Sequence, residues 1–232
     1  DSIRAVPEGS VVPTKNVLMT VESTDPKVPW VVNYLEGLLS QVWYPTTVAT
    51  QSREMKKDIL VGLHVSGDPS TIGFKLHDFG FRGSTNPESA ALGGAAHFVN
   101  FLGTDTVPAL VMLRYYYESP CAGFSIPAAE HSTITSWLRE NEGTAYRKML
   151  DVNPEGLVAI VADSYDVYNA CENLFGGELK DQILSRDGVL VCRPDSGEPT
   201  KVLPRILSIL ADRFGHTVNA LSLIHISEPT RL

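Results

Sequence analysis

The sequence is poor in cysteine. Cys121, Cys171 and Cys192 stand far apart and form no C-x-x-C pair. That spacing argues against a zinc framework or a disulfide scaffold and points to free thiols in a reducing compartment, hence a cytoplasmic protein. Long apolar runs are also missing, and none approaches the roughly 20 residues that a membrane-spanning helix needs. The opening "DSIRAVPEGS" has no signal-peptide core. Positive charge is scarce, with 19 Lys and Arg against 27 Asp and Glu and a formal net charge of -8. A general nucleic-acid binder shows a basic face, so neither nucleic acid nor a membrane is an expected partner. The spacings of a phosphate loop, a dinucleotide fingerprint, a zinc set and a serine triad are absent as well.

What is present is a chain of 232 residues, 43% hydrophobic, enough for one large domain or parts of two. "EGSVVPTKNVLMTVES" alternates apolar and polar residues and predicts short antiparallel strands. "DPKVPWVVNYLEGLLSQVWYPTTVATQSREMKKDIL" reads as mostly helical, with Asp25 as cap, Pro26 at the first helical position and Pro45 breaking or offsetting the helix.

From about residue 73 five strand–helix units follow one another. Their strands are "GFKLHDFG", "FVNFLGTD", "AGFSIPAAEH", "GLVAIVADS" and "GVLVCRPDSG", and each is followed by a helical pattern; Asn86 or Ser84 is positioned to cap the first. Such alternation predicts a parallel sheet with right-handed crossovers. A closed barrel usually takes eight such units, so five imply either an open sheet or part of something longer.

Each predicted strand stops at polar, reactive residues: Asp78 to Arg82, Asp105, Glu130 with His131, Asp163, and Arg193 to Asp195. In a parallel sheet the strand C-termini share one face, so these residues are expected to converge on one site. In "DFGFRG", Arg82 offers a fork-shaped cation for phosphate, and Phe79 or Phe81 a flat face for an aromatic ligand. Asp105 can accept a hydrogen bond and would repel a carboxylate. His131 can carry a proton or attack phosphorus. Asp163 and Asp195 can hold sugar hydroxyls or a hydrated Mg2+, and Arg193 a phosphate. Each acid could equally be no more than a helix cap. Together the set suits a phosphorylated sugar and a flat heterocycle.

These motifs, "KLHDFGFRG", "NFLGTDT", "PAAEHSTIT", "ADSYDVYNACE" and "RPDSG", resemble in order and spacing those of the nicotinamide phosphoribosyltransferases, of the type II phosphoribosyltransferase group. "VPEGSVVPTKNVLMTVESTDP" and "WYPTTVATQSRE" are similar to that family too, so the likeness runs to about residue 215. The resemblance implies an α/β fold. Residues 1-70 would be part of an N-terminal α+β domain with a connecting helix, and residues 71-218 an incomplete (β/α) barrel of parallel strands. It implies formation of nicotinamide mononucleotide and pyrophosphate from nicotinamide and phosphoribosyl pyrophosphate, in NAD salvage. Mg2+ would come with the phosphoribosyl substrate, near Asp163 and Asp195, and ATP would be a co-substrate. By the resemblance, Phe79 stacks on the pyridine, Asp105 accepts from the carboxamide, and Ser125 lines the nicotinamide channel. Arg82 and Arg193 take phosphate or diphosphate oxygens, Phe81 packs in the core, and His131 is transiently phosphorylated. Asp78 and Glu130 support, Glu130 by orienting His131, and Asp163 and Asp195 face the ribose.

The family's barrel continues beyond "RPDSG" through glycine-rich phosphate turns, and its members are homodimers in which the partner's N-terminal region supplies a second aromatic over the base. Neither segment is in this sequence, so the chain by itself is expected to have little or no turnover. Ala159 and Ala162 stand where the vertebrate-like pattern has serines, which would alter channel polarity. The end, "NALSLIHISEPTRL", does not resemble the family, and residues 219-232 read as a non-native tail. Two other readings stand beside the first: a nicotinate phosphoribosyltransferase, against which Asp105 argues, and a non-catalytic binding relative.

Overall fold

The computed structural model describes residues 2–218 and 224–225. The chain divides into two compact units, residues 1–125 and 126–232.

In the first unit, β1 (Ser2–Ala5) pairs antiparallel with β2 (Met19–Glu22), Ser2 opposite Glu22. Helix α1 (Val31–Leu39) follows, and after one tight turn α2 (Trp43–Ser66). Asp25 caps a turn rather than the helix: its Oδ1 accepts from the Lys27 N–H at 2.9 Å, six residues before α1 begins. The helix is offset just ahead of Pro45, which lands in the first turn of α2, where a backbone N–H has no intrahelical acceptor to lose. Beyond α2, Asp68 accepts from the Ser70 N–H and Pro69 starts a tight helical turn that runs to Phe74. That turn consumes the front of the predicted first strand, and only β3 (His77–Asp78) remains extended. Helix α3 (Pro87–His97) is capped by Asn86, whose side chain accepts from the Ser89 N–H at 2.8 Å. β4 (Gly103–Thr104) lies parallel to β3, and α4 (Val107–Tyr116) leaves it at once. Phe124 bridges Gly103 in parallel. Ala90, Ala96, Phe101, Ala109 and Leu113 form the buried core.

In the second unit, α5 (His131–Thr135) and α6 (Glu142–Val152) precede β5 (Glu155–Val161). Helix α7 (Val167–Asn169) runs through a π-helical segment, Ala170–Glu178, into α8 (Lys180–Ser185). β6 (Asp187–Arg193) then pairs parallel with β5 from Glu155 opposite Asp187 to Val161 opposite Arg193, and α9 (Pro199–Phe214) follows. The first turns of this ladder need glycine twice: Gly156 has φ +68°, and a Cβ on Gly188 would lie 2.0 Å from the Gly156 carbonyl oxygen. Ala128 bridges Ala159 in parallel. The core gathers Ile134, Tyr146, Leu150, Val158, Ile160, Val161, Phe175, Leu179 and Ile206. β7 (Thr217–Val218) and β8 (Ile224–His225) form a short antiparallel pair.

The fold is therefore mixed α/β with small parallel ladders, and among the described residues no closed barrel is formed. The predicted strand "AGFSIPAAEH" is reduced to bridges at Phe124 and Ala128. Pro127 between them has no N–H to give a ladder. Most of the predicted tail, residues 219–223 and 226–232, lies outside the described residues.

Candidate active site

Two clusters of polar strand-end residues stand out, one in each unit. In the first unit, Asp78 closes β3. Its Oδ1 accepts from the Gly80 N–H at 2.7 Å, and its backbone carbonyl accepts from the Asp105 N–H at 2.9 Å. Asp105 leaves β4, and its Oδ1 accepts from Ser125 Oγ and lies 3.2 Å from His77 Nε2. Phe79 is half exposed, with its ring centroid 4.5 Å from that of His77. Arg82 sits exposed in the turn Gly80–Gly83. Phe81 is 43% exposed, which corrects its expected place in the core: the tight turn points it outward. A cavity of about 290 Å³ opens here, lined by Tyr44, His77, Asp78, Phe79, Gly94 and Thr106 among others.

In the second unit, β5 and β6 run in register, so their ends carry Asp163 and Asp195 to neighbouring positions. Asp163 has a side chain only 6% exposed. Its Oδ1 meets His131 Nε2 at 2.9 Å, and its Oδ2 accepts from the Asp195 N–H at 3.0 Å and from Ser196 Oγ at 2.5 Å. Burial alone would raise this carboxyl, but the hydrogen bonds from Ser196, His131 and Asp195 prevail and hold it below the usual carboxylate range. Asp163 is thus an anion at neutral pH, and His131 Nε2 is the nitrogen that donates to it. His131 Nδ1 is left 3.8 Å from Oδ2 of the exposed Asp195. Arg193 ends β6 and donates to the Ala129 carbonyl at 2.9 Å. Glu130 accepts from Ser132 Oγ, and the carboxylate aligned with the imidazole is that of Asp163.

Two features escaped the sequence. Asp163 reads there as a ribose ligand, and its service to His131, 32 residues away, depends on strand register. His77 shows no signal at all, because a histidine inside an apolar strand looks like core.

A divalent cation can be tested against these groups. Both Asp163 oxygens are already engaged, and among the described residues no group of three or more His, Cys, Asp or Glu side chains gathers into a cage. A hydrated ion arriving on a substrate diphosphate needs only outer contacts, and the exposed Asp195 carboxylate offers one. Ala159 and Ala162 are both buried, and Cys121, Cys171 and Cys192 are free thiols.

In each unit of this mixed α/β chain, polar side chains gather at the ends of a short parallel ladder. Residues 74–226 match the nicotinate phosphoribosyltransferase (NAPRTase) family, and the chain belongs to it. It is 56% identical, over 94% of its length, to a nicotinamide phosphoribosyltransferase of Xanthomonas campestris pv. campestris, of which it covers 47%. It is 34% identical over 87% of its length to a nicotinamide phosphoribosyltransferase of Acinetobacter baylyi, covering 42% of that protein. A third relative, the nicotinamide phosphoribosyltransferase of Mycoplasma pneumoniae, is 30% identical over 87% of the chain. The chain thus spans about half the length of the curated relatives it matches.

Proposed function

We propose that the protein to which this chain belongs transfers a phosphoribosyl group from phosphoribosyl pyrophosphate to nicotinamide, releasing pyrophosphate in NAD salvage. The observation that carries this is the His131–Asp163–Ser196 constellation beside Asp195, in a chain similar to nicotinamide phosphoribosyltransferases. Phe79 is the face for the pyridine ring, and Asp105, steadied by Ser125, accepts from the carboxamide N–H. A carboxylate there repels nicotinate. Stacking and this contact hold the ring nitrogen for attack on the ribose carbon. Asp195 faces the ribose hydroxyls, Asp163 fixes its neighbours, and Arg82 and Arg193 face diphosphate oxygens. Charge develops on the leaving pyrophosphate, where fixed arginines act most strongly. A magnesium ion carried on that diphosphate, with Asp195 as an outer contact, would supply Lewis acidity there.

ATP enters through His131. Asp163 holds the proton on Nε2, so the lone pair lies on Nδ1, and Nδ1 is the nucleophile. Its attack forms a bond to the γ-phosphorus and breaks the bond to the β,γ-bridging oxygen, and ADP leaves. Hydrolysis of the phosphohistidine then couples ATP to product formation. The partial (β/α) barrel from residue 71, the N-terminal α+β part before it, a homodimer and a cytoplasmic location belong to the same proposal. Support comes from the parallel ladders and family membership; no helix among the described residues is long and apolar enough to cross a membrane.

The test is direct. A polypeptide of the relatives' full length is incubated with nicotinamide, phosphoribosyl pyrophosphate, Mg2+ and ATP. Nicotinamide mononucleotide and pyrophosphate in equal amounts are expected, and little from the 232-residue chain alone. Preferential use of nicotinate would favour the sister activity that the family's name carries, and no nucleotide product would end the proposal.

A further inference from the structure

His77 is unassigned in the reading above, yet it touches both groups that reading gives to the base. Its Nε2 is 3.2 Å from Asp105 Oδ1, and its ring lies 4.5 Å from the Phe79 ring with a tilt of 32°. The Asp105 contact is oblique, within ion-pair reach but not aligned as a straight hydrogen bond. Ser125 Oγ donates to the same oxygen, Oδ1, so neither contact uses Oδ2. The carboxylate is therefore steadied at one oxygen and leaves the other for a substrate N–H.

The backbone makes room for this arrangement. His77 lies opposite Gly103 across the parallel β3–β4 pair, and a Cβ on Gly103 would stand 2.7 Å from His77 Nδ1. Only glycine there lets the ring lie flat over β4 and reach Asp105 two residues further on. The ring is mostly shielded, with its side chain 26% exposed, so it is held by packing as well as by the Asp105 contact.

We propose that His77 is the positioning residue of the base subsite, setting the carboxamide acceptor Asp105 through Nε2 and backing the Phe79 platform with its ring. The ligand class is a pyridine carboxamide, and the inference rests on the role of Asp105 and Phe79 in the proposed function. His77 acts through these two neighbours and does not meet the reacting atoms.

The experiment is steady-state kinetics in a full-length polypeptide, with nicotinamide and nicotinate as competing bases. His77→Phe should raise the nicotinamide KM about tenfold, the scale of losing one contact to a charged group. It should leave the KM for phosphoribosyl pyrophosphate unchanged and narrow the preference over nicotinate. His77→Gln places an amide N–H near the Nε2 position and should recover most of that loss. Gly103→Ala, which pushes the ring aside, should behave like His77→Phe. In an Asp105→Asn background, His77→Phe should lose most of its effect, since the two act as one unit. The positioning role is overturned if His77→Gln loses as much as His77→Phe, or if both Michaelis constants rise together. It is also overturned if the two losses simply add in the double variant. Absence of nicotinamide turnover in the parent would instead refute the underlying function, so the two failures are distinct.

Discussion

At the scale of single residues, Asp163 is the pivot of the second cluster. Three donors hold it as a buried anion, so its proton affinity in the folded state lies below that in the unfolded chain. A depressed carboxyl contributes stability that is present above its unfolded value. That stability is lost as pH falls through the folded value. Acid titration of unfolding should therefore show a loss below the ordinary aspartate range that Asp163→Asn lacks. At neutral pH the Asn variant should be destabilised by about 1–3 kcal/mol in urea unfolding, since its amide cannot accept from all three donors. Parental stability in Asp163→Asn would contradict the geometry. Tyr117 gives a smaller case: its hydroxyl donates to Glu8 at 2.5 Å, and that carboxylate pushes the phenol up to about 12.

Among the elements, α6 carries a buried acid. Glu142 is 4% exposed and accepts from Tyr146 at 2.7 Å. Burial raises its carboxyl above the ordinary range, against the hydrogen bond from Tyr146. The sign is opposite to that of Asp163. The stability tied to the protonated form is full below the unfolded value and falls as pH rises through the folded one. Glu142→Gln keeps an acceptor for Tyr146, so its stability relative to the parent should increase from pH 4 to pH 7 in thermal unfolding. In β5, Ile160 is fully buried, and Ile160→Ala should cost about 2–5 kcal/mol by chemical denaturation.

The elements also mark how far the sequence can be read. β5, β6 and α9 were legible because long apolar runs end in turn residues and caps. β3 and β4 are two residues each, shorter than the apolar pattern predicts: local pattern shows that a segment is apolar, whereas ladder length is decided by pairing partners. The Asn86 cap was legible because it is local chemistry. The Asp163–His131 and His77–Asp105 contacts were not, since they depend on which strands are neighbours and in what register.

For the whole molecule, the chain spans about half the length of its relatives, and it carries imidazole, carboxylates and arginines at its strand ends. In a full-length polypeptide, Asp105→Asn should narrow the preference for nicotinamide over nicotinate by about tenfold or more, as the repulsion of a carboxylate is removed. Competition of the two bases in one reaction reads this directly.

The central chemical claim is that His131, oriented by Asp163, takes phosphate from ATP on Nδ1. Its most direct measurement is the acid-labile, base-stable phosphate bound to the full-length polypeptide after incubation with labelled ATP. Up to one phosphate per chain is predicted in the parent, none in His131→Ala and a large loss in Asp163→Asn. Undiminished labelling of His131→Ala would contradict the claim.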